Sequence, residues 1–265
     1  MRTLKPYLIA VLLIISTAGC KKILDVKLKN ADVQLVITGE VNNRKGPYKV
    51  QISKSVNFYE DNIFPAVSDA FVTIKGNGVT DTLTEKEPGI YFTDKLDGEP
   101  GKTYTLHVAV DGKVFSASSV MPRPVRIDSL TFLMGENKNL YAVVNFQDPP
   151  GIENFYEFIE FADGQRFKNS RGNSVFSDRL SDGRHISTVL YDDTTDIRAG
   201  ISLTVQMNCI DKPVYNYLQQ LLQISGNGGS FSNPSPTNPT SNISGGALGY
   251  FSANTITTKT VEIPE

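Results

Sequence analysis

The sequence predicts an all-β protein made of two β-sandwich-like domains, the second of which carries one amphipathic helix. From residue 33 onward the dominant hydrophobic period is two, in short runs rich in β-branched and aromatic residues. Clusters of Gly, Pro, Asn and Asp separate these runs at intervals of about ten residues, a spacing typical of sandwiches and barrels. One segment, residues 212–223, follows the helical period instead.

We expect the first domain, an immunoglobulin-like sandwich, to span residues 33–122. Its predicted strands are residues 33–42, 48–55, 70–75, 80–84, 90–93, 103–110 and 113–120. The clearest local signal is Asp111-Gly112 between two alternating runs, because both residue types accept the positive φ angles of a type I′ hairpin turn. Pro122 and Pro124 cannot donate to a sheet ladder, so we place a domain boundary near Pro124.

The second predicted domain spans residues 125–265. Its predicted strands are residues 127–134, 140–147, 155–162, 186–191, 201–210, 247–252 and 255–263. A helix is predicted at about residues 212–223, because Asp211 can cap its N-terminus and Pro213 is tolerated in its first turn. Its apolar residues follow i, i+3, i+4, i+7, i+8 spacing, at Val214, Tyr217, Leu218, Leu221 and Leu222. One stripe of this helix should therefore lie on a sheet.

The N-terminal segment has the pattern of a secretory signal. Arg2 and Lys5 precede an apolar stretch at residues 7–15, which is shorter than the roughly 18 residues needed to cross a bilayer. Residues 17–20, Thr-Ala-Gly-Cys, resemble a lipobox, at which signal peptidase II cuts before a cysteine that receives lipid. We expect residues 1–19 to be the leader, Cys20 to carry the lipid, and residues 20–32 to be a membrane-proximal tether. An ordinary secretory signal with an incidental cysteine is the alternative.

Composition narrows the function classes. Loss of residues 1–19 would leave 24 of the 26 basic residues against 28 acidic ones, a formal net charge of −4, so we expect no nucleic-acid partner. The expected partner is a membrane, reached through the lipid, since two or more acyl chains anchor stably. Cys209 would then have no disulfide partner, and its alternating run predicts a small buried residue.

The sequence shows little sign of catalytic chemistry. It has two histidines, His107 inside a predicted strand and His185 after a turn, and neither belongs to a zinc-protease, nucleophile-elbow, Walker or dinucleotide motif. We therefore predict no catalytic residue, no enzyme activity and no cofactor. A Ser-His-Asp hydrolase is not excluded by composition.

The densest acidic cluster is formed by Asp192, Asp193 and Asp196. Calcium takes six to eight oxygen ligands, so three carboxylates on one loop could begin a calcium site. A solvated turn before the strand at 201–210 is the alternative interpretation.

Aromatic residues in predicted loops are candidates for contacts with a partner, because rings contribute rigid apolar area. Phe58, Tyr59 and Phe64 surround an acidic turn, and Phe231 lies in the Gly-, Ser-, Asn- and Pro-rich residues 226–246. Burial in the core is the alternative for these rings. A loop of that length is unusual in a compact domain, so the segment is the preferred contact element.

Several segments together resemble a family of uncharacterised Bacteroidota lipoproteins, the domain of unknown function DUF4249. The segments that carry the resemblance, in order along the chain, are residues 25–28, 35–39, 50–55, 58–62, 88–91, 100–104, 121–122 and 245–251. The resemblance implies a β-rich lipoprotein of the cell envelope, with no assigned activity, often found with TonB-dependent outer-membrane transporters. Lys21 and Lys22 stand where surface-exported lipoproteins often carry acidic residues. The resemblance therefore leaves both the periplasmic and the outer face of the outer membrane as locations.

Three short motifs resemble the Asp-Ser/Thr acceptor of O-glycosylation in that phylum, with Thr82, Ser129 and Thr194 as the acceptor residues. The family context predicts a non-enzymatic accessory lipoprotein, anchored to the outer membrane, that helps a TonB-dependent transporter capture a nutrient. An envelope hydrolase or glycan-processing enzyme is the alternative, and a structural surface protein is a third interpretation.

Overall fold

The computed structural model describes residues 32–57, 63–135, 140–167, 174–190, 199–224 and 238–263. Within these ranges the chain is all-β with one α-helix, and residues Val33–Glu265 form one compact unit. No described helix has the length and apolar character needed to cross a membrane.

The elements of the first half are strands β1 (Leu35–Asn42), β2 (Lys49–Lys54), β3 (Phe71–Gly76), β4 (Val79–Thr82), β5 (Thr84–Glu87), β6 (Ile90–Phe92), β7 (Thr103–Val110) and β8 (Lys113–Val120). Those of the second half are β9 (Ser129–Met134), β10 (Leu140–Gln147), β11 (Phe155–Ala162), β12 (Gln165–Arg166), β13 (Ser174–Ser177), β14 (His185–Leu190), β15 (Ser202–Ile210), helix α1 (Lys212–Leu222) and β16 (Leu248–Glu262).

The described strands form three sheets. The largest has nine strands, in the order β12-β11-β15-β16-β1-β2-β6-β5, with β13 also paired to β11. A four-stranded sheet has the order β4-β3-β7-β8, and a three-stranded sheet has the order β14-β10-β9. The pairing of β16 with β1 is parallel, and its pairing with β15 is antiparallel.

The first hydrophobic core contains side chains of the four-stranded sheet and of the β1-β2 part of the large sheet. Along β7, Leu106 and Val108 are buried while His107 between them is exposed, as the period of two requires. Ile37 and Ile52, on β1 and β2, belong to the same core. This arrangement is sandwich-like and agrees with the predicted fold class.

The second core joins the three-stranded sheet to β11 and β15. Phe146 of β10 contacts the ring of Tyr156 of β11, with 4.8 Å between the ring centroids. Met207 and Cys209 of β15 are buried in the same core. The prediction that Cys209 is a small buried residue is confirmed.

Helix α1 and its cap are confirmed as predicted. Asp211 is the N-cap, and its side chain accepts a hydrogen bond from the Val214 amide at 3.2 Å. Val214 and Leu218 are buried against Phe155 and its neighbours in a third, smaller core. The predicted stripe is narrower than expected, since Leu221 is 40% exposed.

The predicted turn at Asp111-Gly112 is also confirmed, and a second Asp-Gly turn has the same backbone form. Asp111 and Gly112 have φ angles of 51° and 70° and join β7 to β8, while Asp163 and Gly164 have 48° and 78° and join β11 to β12. Both residues of each turn therefore adopt the positive φ that a type I′ turn demands.

The predicted division into strands is wrong in two places. The segment 80–84 is not one strand, because β4 belongs to the four-stranded sheet and β5 to the nine-stranded sheet, with buried Leu83 between them. The C-terminal segments 247–252 and 255–263 are not two strands, because β16 runs unbroken through the predicted gap, where Asn254 is buried. Burial in the large sheet outweighs the low strand propensity of asparagine.

The predicted division into domains 33–122 and 125–265 stays a prediction. The first core contains Phe251 and Ala253 of β16, whereas Val261, a partly buried residue of β16, packs against the second core. Strand β16 therefore contributes to both cores.

Candidate functional site

Several sequence-predicted site residues lie outside the described residues, namely Cys20, Phe58, Tyr59, Asp192, Asp193, Asp196, Thr194 and Phe231. Phe64 is described and is 55% exposed, so it is available for contacts. Thr82 and Ser129 are exposed on β4 and β9. Their roles stay predictions.

The aspartate that precedes Thr82 has a structural role. Asp81 is fully buried, and its Oδ2 accepts hydrogen bonds from the amides of Asp94, Lys95 and Leu96 at 2.8–2.9 Å. Asp81 therefore holds the turn after β6, which explains this carboxylate without reference to glycosylation.

The two histidines lie on different sheets. His107 faces Ser116 across the β7-β8 pair. His185, on β14, has its Nδ1 3.9 Å from Oδ2 of Asp128, and both side chains are about half exposed. No nucleophile and base are brought together at either histidine among the described residues.

A groove of about 550 Å³ lies beside helix α1. Its lining comes from the start of α1, the beginning of β11, strand β13 and the turn that follows β13. Lys212 of α1 reaches Glu153 with 2.8 Å between Nζ and Oε2, and its ammonium lies 5.7 Å from the centroid of the Phe155 ring. The groove therefore joins an aromatic surface to an ion pair.

A second ring widens the aromatic surface of the groove. Tyr215 packs on Phe155 with 4.9 Å between ring centroids, and its hydroxyl accepts a hydrogen bond from Gln219 at 3.1 Å. Burial raises the pKa of Tyr215, and the charge of nearby Arg179 partly opposes that rise. Leu180 lies at the same groove and is 84% exposed.

Near the groove in sequence lies a group of three carboxylates, Asp148, Asp178 and Asp182, which we name the acidic cluster. One oxygen of each lies within 4.8 Å of the others. Asp148 and Asp178 are fully buried and Asp182 is exposed. Asp148 follows β10, whereas the other two lie in the connection from β13 to β14, which also supplies Arg179 and Leu180 to the groove.

Hydrogen bonds from the protein fix Asp148 and Asp182. Asp148 accepts from the Tyr156 hydroxyl through Oδ1 and from the Gly183 amide through Oδ2, the latter at 2.9 Å. Asp182 accepts from the Gly151 amide at 2.9 Å. The two connections that hold the acidic cluster are thus tied together.

Asp178 is less well satisfied. Its Oδ2 accepts from Asn154 at 3.2 Å, but its Oδ1 has no hydrogen-bond partner among the described residues. Burial raises the pKa of Asp178, and the adjacent Asp148 carboxylate raises it further.

The two buried members of the acidic cluster are not placed like the carboxyl pair of a glycosidase. Paired carboxyl groups in a glycosidase must contact the sugar on either side of the bond that breaks. Asp148 and Asp178 are 0% exposed, so neither faces the groove as an acid or a nucleophile would. The groove itself offers rings, one exposed leucine and charged groups, which are the elements of a recognition surface.

The fold and the groove define a class of protein, a sandwich-like all-β chain with an aromatic-lined groove at its one described helix. The chain belongs to the family described as Domain of unknown function (DUF4249), whose model matches residues 21–260. The predicted membership of the DUF4249 family is thereby confirmed. None of the curated proteins compared with the chain matches it.

Sequence reasoning missed both the groove and the acidic cluster. The sequence placed the metal candidate at residues 192–196, where acidic residues are dense. The acidic cluster instead joins residues about thirty positions apart, and its only local signals are the turn sequences Asp148-Pro149-Pro150 and Asp182-Gly183.

Proposed function

We propose that this protein is a lipid-anchored protein of the outer membrane that works by binding, as a non-enzymatic accessory of a TonB-dependent nutrient transporter. The lipobox-like residues 17–20 motivate the anchor. The family resemblance motivates the transporter. The groove beside α1 is the surface that we propose makes the contact.

The observation that carries this proposal is the chemistry of the groove. Tyr215 offers a half-buried ring that is supported from below by buried Phe155, and exposed Leu180 offers an aliphatic anchor. Aromatic anchors of this kind supply much of the binding energy at protein interfaces. Neither His107 nor His185 lines the groove, which favours recognition over acid-base chemistry.

The experiment is co-purification of the full-length protein, tagged after Glu265, from gently solubilised outer membranes of its own host. We expect a TonB-dependent transporter in stoichiometric amount. Leu180→Asp should reduce the recovered transporter about tenfold, since loss of about 1.4 kcal/mol at an interface has that effect. Met134→Asp is the matched control, because Met134 is 69% exposed on β9 and does not line the groove.

The outcomes separate the alternatives. Equal recovery with Leu180→Asp and with wild type would move the contact away from the groove. Absence of a transporter from the wild-type sample would contradict the accessory role and favour an envelope hydrolase or a structural protein. Cys20→Ser should release the protein from the membrane fraction, because the lipid is its proposed anchor.

A further inference from the structure

We propose that the acidic cluster of Asp148, Asp178 and Asp182 binds a calcium ion. Calcium lies 2.3–2.6 Å from its oxygen ligands, so two ligands on opposite sides of one ion are about 4.6–5.2 Å apart. The three carboxylate oxygens lie within 4.8 Å of one another. All three can therefore contact a single ion.

The unpartnered oxygen of Asp178 is the second observation that points to a ligand. Asp178 is 0% exposed, and its Oδ1 accepts no hydrogen bond from any residue that the structure describes. A buried carboxylate oxygen without a donor loses the hydration it had in the unfolded chain and gains nothing in return. A cation held between the three carboxylates supplies the missing partner.

The remaining oxygens are oriented by hydrogen bonds, as those of metal ligands commonly are. Tyr156 and Gly183 donate to the two oxygens of Asp148, and Asn154 donates to Asp178. The ligand set is thus held in place before an ion arrives, which lowers the entropic cost of binding.

The kind of ligand selects the kind of ion. The acidic cluster offers oxygen only, whereas zinc in proteins prefers nitrogen and sulfur. Magnesium requires near-octahedral geometry and usually retains several waters, which suits a site with two fully buried carboxylates less well. No described lysine or arginine forms an ion pair with Asp148, Asp178 or Asp182, so the negative charge has no internal counter-ion within the described ranges.

Calcium would brace one wall of the groove. Asp148 lies in the connection from β10 to β11, and Asp178 and Asp182 lie in the connection from β13 to β14. An ion bound to all three cross-links these connections. The calcium proposal does not depend on the transporter proposal.

The test uses the full-length chain in detergent, stripped with chelator, with calcium or terbium as the probe. Calcium at about 100 times its Kd should raise the Tm by about 5–10 °C. Terbium, which takes calcium sites, should emit on tyrosine excitation, because Tyr156 contacts Asp148 and the chain has no tryptophan. Excess calcium should quench that emission, and Tyr156→Phe should lose most of it.

Asp182→Asn and Asp178→Asn should each abolish most of the calcium-dependent rise in Tm. Asp111→Asn is the matched control, since it removes one exposed turn carboxylate away from the acidic cluster and should respond as wild type does. If Asp178→Asn fails to fold, Asp182→Asn still tests the proposal, because Asp182 is exposed. A wild-type Tm that does not respond to calcium would overturn the proposal, and so would an equal response in Asp182→Asn.

Discussion

Asp211 joins the one described helix to the first core, and its replacement tests how the halves of the chain are connected. Its Oδ1 caps α1 by accepting from Val214, while its Oδ2 accepts from the Ser119 hydroxyl at 2.7 Å and from the Val120 amide at 3.2 Å. Ser119 in turn accepts from the amide of Ala253 at 2.8 Å. One carboxylate thus connects α1, β8 and, through Ser119, β16.

Asp211→Ala should lower the free energy of unfolding by about 2–4 kcal/mol. Loss of the N-cap contributes about 1 kcal/mol. Loss of the acceptor for Ser119 and Val120 contributes about 1–3 kcal/mol. Ser119 is only 1% exposed, so water cannot reach its hydroxyl to take the place of the lost carboxylate. Asp211→Asn keeps the cap but places an amide where Ser119 and Val120 need an acceptor, so about half of that loss is expected.

The difference in unfolding free energy between wild type and Asp211→Asn should depend on pH in a defined direction. Burial raises the pKa of Asp211 above its ordinary value of 3.8, and the hydrogen bonds from Ser119, Val214 and Val120 only partly offset this. The folded state therefore holds the proton more tightly than the unfolded state. Ionisation of Asp211 thus lowers the free energy of unfolding relative to that of the protonated protein. The deficit of Asp211→Asn should be largest below pH 3.8 and should shrink as the pH rises through the folded pKa.

Urea unfolding followed by far-ultraviolet circular dichroism measures these differences from the midpoints at constant m. A double-mutant cycle with Ser119→Ala isolates the bond between Ser119 and Asp211, for which a coupling of about 0.5–3 kcal/mol is expected. A change below about 0.5 kcal/mol for Asp211→Ala, or zero coupling to Ser119, would refute the reasoning.

Two further predictions concern the thiol and β16. Burial raises the pKa of Cys209, which is 3% exposed, so a thiol reagent should react with it only on unfolding. If Cys20 is a thioether, the denatured chain should show one reactive thiol. Two reactive thiols would contradict lipidation. Gly249→Ala should lower the free energy of unfolding in urea by at least about 3 kcal/mol, because the φ of Gly249 is 93° and a Cβ would lie 2.0 Å from the Ile37 oxygen. Gly246 has a φ of 85° but open space around it, so Gly246→Ala should cost about 1–2 kcal/mol. Equal costs would refute the steric argument.

The features of the fold that are encoded locally could be predicted from the sequence. The turn at Asp111-Gly112 was predictable because both positive φ angles are a property of those two residues. Helix α1 was predictable because its cap and apolar stripe lie within a dozen residues. The passage of the chain from one sheet to another at Leu83 could not be predicted, because the alternation of buried and exposed residues is the same before and after it.

The acidic cluster could not be predicted, because chain topology brings its members together. Asp148 and Asp182 each stand in an ordinary turn sequence, and an aspartate in a turn is common without any ligand. Burial is what distinguishes Asp148 and Asp178, and burial of a charged residue that follows a strand has no signature in hydrophobic period. Local acidic density pointed to Asp192, Asp193 and Asp196, which lie outside the described residues.

Strand β16 pairs with strands of both halves of the chain. Its residues 248–254 complete the first sheet layer beside β1, and residues 255–262 pair with β15. A chain cut near Pro124 would leave the first core without Phe251 and Ala253, and β1 would keep an open edge. The first core therefore depends on residues that lie far along the sequence from its other strands.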